Sequence, residues 1–111
     1  MREIATPTIR EIQEVVASAF GVTVLDLLSD RRMRSIARPR QVAMWIARHA
    51  TLHSLPEIGR RFGNRDHTTV MAALSRVDEL MASDYKFCLA VQSLLLSVQQ
   101  VETVVSEAAL A

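Results

Sequence analysis

Residues 54–70 read SLPEIGRRFGNRDHTTV, and this stretch predicts two short helices that bend at Gly63. Ser54 is a preferred N-cap residue for the first helix, and Glu57 stands where a capping box needs an acidic side chain. Pro56 falls in the first turn, where its missing N–H group costs no hydrogen bond. The pattern is typical of a helix-turn-helix, whose second helix enters a DNA major groove.

The second helix of this motif is predicted to begin at Asp66, another preferred N-cap residue. Behind a polar first turn, apolar residues recur at helical spacing: Val70, Leu74, Val77 and Leu80. In a major groove, Asp66 could accept from an amino group, His67 could bond a base edge or a phosphate, and the methyls of Thr68 and Thr69 could meet thymine methyls. The alternatives are that Asp66 is only a cap and that His67 is simply solvent-exposed.

Composition favours a single all-α domain. The chain has 111 residues, of which 50% are apolar and 5% aromatic, with three glycines and three prolines. This length is near the commonest size of one domain, and no apolar alternation is long enough for a sheet. No apolar run approaches the ~20 residues of a membrane span, and residues 1–8 do not resemble a signal peptide. The single cysteine, Cys88, predicts a protein of the reducing cytoplasm.

Charge is distributed unevenly along the chain. Residues 31–65 contain nine arginines and one acidic residue, Glu57, which gives this segment a net charge of +8. The rest of the chain carries −7, so the net charge of +1 conceals a concentrated basic block. Such a block favours a polyanionic partner and, together with the helix-turn-helix, double-stranded DNA. The alternative is a solvated basic face without a partner.

Two helices are predicted before the basic block. Thr8 and Glu11 form a capping-box pattern ahead of a helix that Gly21 ends. The inward residues of this helix are predicted to be Ile9, Ile12, Val16 and Phe20. Thr23 and Asp26 then predict a short helix over residues 24–28.

A basic loop is predicted to follow, because residues 29–35 read SDRRMRS and show no periodicity. Its three arginines could reach a minor groove or phosphates: Arg31, Arg32 and Arg34. Pro39 then indicates a helix start, with a helix over residues 40–50. In this helix Trp45 is expected in the core rather than as a base-stacking platform. Three polar residues flank the apolar stripe and, with Arg65, are candidates for phosphate binding: Arg40, Gln41 and Arg48.

The last helix is predicted to begin after residues 82–84, with Ser83 as its cap. Its apolar residues recur in steps of three and four: Phe87, Val91, Leu94, Val98, Val101, Val105 and Ala108. This stripe is longer than a small domain needs, so its end is either a frayed extension or a seam for helix-on-helix contact in a homodimer. The predicted organisation is a lead-in over residues 1–7, a DNA-binding domain over 8–98 and a helical extension over 99–111.

Metal, nucleotide and catalytic sites find no support in the sequence. The three histidines and Cys88 do not show the spacing of metal ligands. The chain has no G-x-x-x-x-G-K-[ST] loop for phosphates, and nothing places a nucleophile beside a base. We therefore expect no metal, no cofactor, no bound nucleotide and no enzymatic activity.

Three segments together resemble the C-terminal DNA-binding domain of the bacterial replication initiator DnaA: residues 29–44 (SDRRMRSIARPRQVAM), 54–59 (SLPEIG) and 62–70 (FGNRDHTTV). The resemblance runs in one register over residues 8–99, and Arg-Asp-His-Thr-Thr-Val behind Phe-Gly is close to a signature of that family. It implies a compact, Trp-repressor-like bundle of about six helices with a helix-turn-helix, which binds a DnaA box in double-stranded DNA as a monomer.

By motif position, the resemblance also implies roles for individual residues. Arg32 would enter the minor groove, and three residues would hydrogen-bond bases in the major groove: Asp66, His67 and Thr68. Leu55, Pro56 and Thr69 would lie near thymine methyls. The phosphate contacts would come from Arg40, Gln41, Arg48 and Arg65, to which the composition of the basic loop adds Arg31 and Arg34.

This sequence departs from the family pattern at several points, among them Trp45, at a position that varies in the family, and a tail that runs past the usual domain end after about residue 96. Asn64 stands where glycine is frequent, and Met1 lies only a few residues before the domain. The position of Met1 predicts that the family's ATPase and helicase-recruiting modules are absent, so the chain is either a free-standing, nucleoid-associated relative or an excised initiator domain. The Val-rich, Ala-ended tail over residues 101–111 favours the free-standing form. In either form we expect it to regulate replication initiation or transcription with a preference for DnaA boxes. The alternative function is a protein-interaction module or dimeric regulator that uses the Val-rich C-terminal helix.

Overall fold

Six α-helices make up residues 6–99, the part of the chain that the structure, a computed structural model, describes. They are α1 (Ile9–Phe20), α2 (Val24–Leu28), α3 (Arg34–Ala50), α4 (Leu55–Arg61), α5 (His67–Ser83) and α6 (Tyr85–Gln99). No strand occurs within residues 6–99, so the predicted all-α fold is confirmed. Three positions of the predicted seam, Val101, Val105 and Ala108, lie outside the described residues.

The helix α3 is the centre of the bundle and packs against each of the other five helices. Its residues 42–47 are all buried, because they face neighbours on several sides. Trp45 is 6% exposed, and its indole Nε1 donates to Asp78 of α5 at 2.9 Å, as a buried indole N–H requires. The prediction that Trp45 belongs to the core is confirmed.

The two predicted capping boxes at the start of the chain are present. The hydroxyl of Thr8 accepts from the Glu11 backbone at 3.0 Å, and the Glu11 carboxylate accepts from the Thr8 backbone at 2.8 Å. Thr23 and Asp26 repeat this reciprocal pair at the start of α2. Gly21, with φ +70°, ends α1 as predicted. The prediction that Phe20 points inward was wrong, because this residue lies in the final turn of α1 and is 36% exposed.

The start of α3 differs from the prediction by six residues. The helix begins at Arg34, where the carbonyl of Met33 accepts from the backbone of Ile36 and Ala37. Pro39 therefore lies inside the helix, where it removes the hydrogen bond to the carbonyl of the exposed Ser35. The basic loop is correspondingly shorter and spans residues 29–33, with Arg34 as the first helical residue.

The turn between α4 and α5 uses two left-handed residues, Gly63 (φ +82°) and Asn64 (φ +59°). Asparagine tolerates this region, so its departure from the frequent glycine fits the same turn. Gly63 allows a close approach, since a Cβ atom there would lie 2.3 Å from the carbonyl oxygen of Leu28. The turn is thus packed directly against the end of α2.

Two predicted helix caps proved wrong in detail. Ser54 caps α4, but Glu57 does not complete a capping box and instead pairs with Arg60 and with Arg61, the latter at 2.9 Å. The two guanidinium groups on the next turn compete for the carboxylate, which explains the difference. Before α6, the carboxylate of Asp84 accepts from the Phe87 backbone at 3.1 Å, so Asp84 rather than Ser83 is the cap.

Candidate nucleic-acid interface

Four consecutive polar residues project from the N-terminal tip of α5. Asp66, His67, Thr68 and Thr69 are all exposed, whereas the next residue, Val70, is fully buried. Burial of Val70 packs α5 on the core, while the four residues before it stay at the surface. The structure therefore presents the predicted base-reading residues of α5 together on one exposed tip.

The carboxylate of Asp66 is hydrogen-bonded within this tip. It accepts from the Thr68 hydroxyl at 3.0 Å and lies 3.0 Å from Nδ1 of His67. The hydrogen bond from Thr68 is the main reason that the pKa of Asp66 is lowered, so the group is an anionic acceptor at neutral pH. Asp66 occupies the N-cap position as predicted, but it makes no side-chain cap to the backbone, because it turns toward its neighbours' side chains.

The basic loop and the tip of α5 meet at a single cavity of about 440 Å³. Its lining residues are Leu28, Asp30, Arg32, Arg40, Gly63, Arg65 and Thr69. Arg32 comes from the loop and Thr69 from the first turn of α5, so one surface brings together residues that are far apart in the chain. Arg31, Arg32 and Arg34 are all exposed.

Arg40 is buried, unlike the other arginines of the predicted phosphate set. It is 6% exposed, and its guanidinium donates to three backbone carbonyls beneath the loop: Leu27 at 2.8 Å, Arg31 at 2.9 Å and Asp26 at 3.0 Å. Burial, followed by the nearby charge of Arg65, lowers the pKa of Arg40. The sequence could not reveal this position, because a flanking arginine on an apolar helix is normally exposed.

Arg65 also binds the backbone of the loop. This half-buried side chain donates to the carbonyls of Ser29 and Phe62, and so connects the basic loop with the turn of the helix-turn-helix. Desolvation is the main cause of its lowered pKa. Together Arg40 and Arg65 hold residues 29–33 in place from below, which leaves the guanidinium groups of the loop itself on the surface.

The remaining predicted residues occupy separate positions. Pro56 is exposed in the first turn of α4, and Leu55 is half-buried against the core. Arg48 is exposed near the end of α3, where it reaches the carbonyl of His53 at 3.5 Å. Gln41 is half-buried and accepts from Arg38 at 2.8 Å. None of these four residues lines the cavity that Arg32 and Thr69 share.

Two arginines that the sequence analysis did not single out lie beside this surface. Arg38 of α3 and Arg76 of α5 line a groove next to the cavity, together with Arg34 and Gln41. Arg76 stands seven residues after Thr69, which places both on one helix face, and this spacing could have identified Arg76 from the sequence.

Within residues 6–99, no group of three or more histidine, cysteine, aspartate or glutamate residues is arranged to hold a metal ion. No helix of that part is long and apolar enough to cross a bilayer.

Comparison with known proteins identifies a family and several relatives of this chain. The family model described as the helix-turn-helix of the bacterial DnaA protein matches residues 9–77. The chain is 58% identical over 80 residues to the chromosomal replication initiator protein DnaA of Gluconobacter oxydans, which covers 72% of this chain and 17% of that protein. For the protein of the same name from Caulobacter vibrioides strain NA1000, identity is 56% over 77 residues, with coverage of 69% and 16%.

A solved structure gives the same result at the level of the fold. The crystal structure of a DNA replication initiation factor superposes with a TM-score of 0.76 at 35% identity, covering 85% of this chain and 29% of that chain. This chain thus spans less than a third of that structure and about a sixth of each DnaA relative.

Proposed function

The chain belongs to the bacterial DnaA helix-turn-helix family, and on that premise we propose that it binds double-stranded DNA in a sequence-specific manner, with a preference for DnaA boxes. The observation that carries the proposal is the cavity shared by Arg32 and Thr69. A loop arginine and the exposed tip of a recognition helix on one surface allow simultaneous contact with adjacent minor and major grooves.

In the major groove, α5 would supply the base contacts. The anionic Asp66 is a pure acceptor and suits the exocyclic amino group of cytosine or adenine. His67 and Thr68 would bond base edges, and the methyl of Thr69 would meet a thymine methyl. Leu55 and Pro56, at the start of α4, would add apolar contact with neighbouring thymines.

Phosphate contacts would fix the register without reading sequence. Arg31, Arg34 and Arg48 are exposed and free to turn toward a backbone, and Gln41 and Arg65 are half-buried beside them. For Arg40 the burial supports a different role from the direct phosphate contact that the resemblance implies. It would position the loop, because its donors are directed at loop carbonyls.

The biological output would be control of replication initiation or of transcription at such boxes in the bacterial nucleoid. The relatives are named as chromosomal replication initiators, and this chain corresponds to about a sixth of their length. A DNA-binding segment can act by occupying a box, either alone or as part of a larger assembly.

Titration of the chain with a DnaA-box duplex and with a scrambled duplex, each at several salt concentrations, tests the proposal. We expect log affinity to fall linearly with log salt for both duplexes, with a slope of roughly −0.9 per phosphate contact. Single base-pair changes in the box should cost about 1–3 kcal/mol each. Equal affinity for box and scrambled DNA at every salt concentration would contradict sequence-specific binding.

A further inference from the structure

A second groove lies between α3 and α5, beside the cavity shared by Arg32 and Thr69. It encloses about 500 Å³, and its polar lining consists of five arginines with Gln41 and Thr69: Arg34, Arg38, Arg40, Arg65 and Arg76. None of the described residues that line it is acidic. Three of them, Arg40, Arg65 and Thr69, also line the first cavity, so the two form a continuous surface.

We propose that this groove is a second phosphate-binding track, in which Arg38 and Arg76 hold the DNA backbone beyond the bases that α5 reads. The inference rests on the proposed function and extends it to two residues outside the predicted site. Arg76 lies seven residues after Thr69 on α5, which corresponds to about 10 Å along the helix axis. The track therefore continues away from the tip of α5 for the length of about three base-pair steps.

The positive charges that line the groove repel one another, and a bound anion would reduce this repulsion. Arg38 is half-buried, and desolvation, followed by the charges of Arg76 and Arg34, lowers its pKa. All three of these arginine side chains line the same groove. Phosphates would neutralise them, as happens when a polyanion replaces condensed counterions.

Both new arginines have only weak partners to exchange for a phosphate. Arg38 donates to the neutral amide oxygen of Gln41 at 2.8 Å. Arg76 pairs with Glu79 at 3.2 Å, where the two side chains are 48% and 67% exposed. Such an exposed ion pair contributes little to stability, so a DNA phosphate can compete with it.

The test is the salt dependence of binding for the variants Arg38→Gln and Arg76→Gln, singly and combined, with box and scrambled duplexes. Each substitution should reduce the salt slope by about 1 and the affinity near 0.15 M salt about fivefold. The loss should be the same for both duplexes, because phosphates carry no sequence information. Arg38→Lys, which keeps the charge, should retain the slope.

Arg10→Gln is the matched control. Arg10 lies on α1, is 64% exposed and pairs with Glu14 at 3.1 Å, much as Arg76 pairs with Glu79. This variant removes one positive charge elsewhere and should leave the slope unchanged. An unchanged slope in the double variant, or an equal loss in Arg10→Gln, would overturn the track. Failure of the wild-type chain to distinguish box from scrambled DNA would instead overturn the proposed function, whatever the slopes of the variants.

Discussion

Nη1 of Arg40 lies 2.9 Å from the carbonyl oxygen of Arg31, so a buried arginine holds the backbone of an exposed one. Two further bonds, to Leu27 and Asp26, complete the fixation of the loop from below. The two residues thereby have different roles. Arg31 and its neighbours place positive charge on the surface, and Arg40 fixes the position of the loop that carries it.

Replacing Arg40 by alanine should lower the free energy of unfolding by roughly 2–4 kcal/mol, because three carbonyls lose a charged donor and a cavity forms. Arg40→Lys should recover only part of this loss, since one ammonium group cannot reproduce the planar fork. Urea unfolding measures both. The control Arg34→Ala, at an exposed position, should change stability by less than about 0.5 kcal/mol. Equal effects of the two alanine variants would contradict the positioning role.

If His67 reads a base edge as proposed, the variant His67→Ala should reduce discrimination between box and scrambled DNA by about 1–3 kcal/mol, because the tip of α5 would lose that hydrogen bond. Competition binding with both duplexes measures the difference. Ser75→Ala, also exposed on α5 but two turns further along, is the matched control and should retain discrimination. A variant at His67 that discriminates as well as the wild type would show that this side chain does not read bases.

Alanine at Gly63 should be much more destabilising than alanine at Gly21. Both glycines have positive φ, +82° and +70°, so each substitution incurs about 1–2 kcal/mol of left-handed strain. At Gly21 the added Cβ meets nothing within 4 Å, whereas at Gly63 it would lie 2.3 Å from the Leu28 carbonyl. Thermal unfolding of the two variants should therefore show a larger loss for Gly63→Ala. Equal losses would mean that the backbone at Leu28 can move away from the added Cβ atom without a loss of stability.

Stability should fall in acid partly through Asp26. Its pKa is below the ordinary 3.8, chiefly because the Thr23 backbone donates to the carboxylate. A lowered folded-state pKa stabilises the protein above the unfolded value, and this contribution disappears as the pH falls through the folded value. Asp26→Asn should accordingly flatten the dependence of unfolding free energy on pH below about 4. An acid limb identical to that of the wild type would contradict this account.

Local signals explain what could be predicted from the sequence. The boxes at Thr8 and Thr23 and the cap at Ser54 depend on residues three positions apart, so spacing alone identifies them. The tip at Asp66 followed from the polar first turn ahead of Val70. The start of α3 was missed because Pro39 was taken as a first-turn residue, although the helix already begins at Arg34, five residues earlier.

The remaining features depend on contacts between distant segments. Burial of Arg40 depends on carbonyls of α2 and the loop, 9 to 14 residues away in the chain. Arg38 and Arg76 lie on two different helices and line one groove, a juxtaposition that no local motif indicates. Arginine is usually an exposed residue, so the sequence alone predicts exposure for all of them. Only the packing of the folded chain shows which arginine has a structural role.

The basic loop is connected to the turn before α5 by the close approach of Gly63 to Leu28 and by the bonds of Arg65 to Ser29 and Phe62. The loop and the tip of α5 should therefore keep one spacing and one relative orientation. One extra base pair between the minor-groove and major-groove halves of a box would rotate them by about 35° relative to each other. In the proposed mode of binding, a box with both halves intact but one base pair too long should therefore bind no better than random duplex.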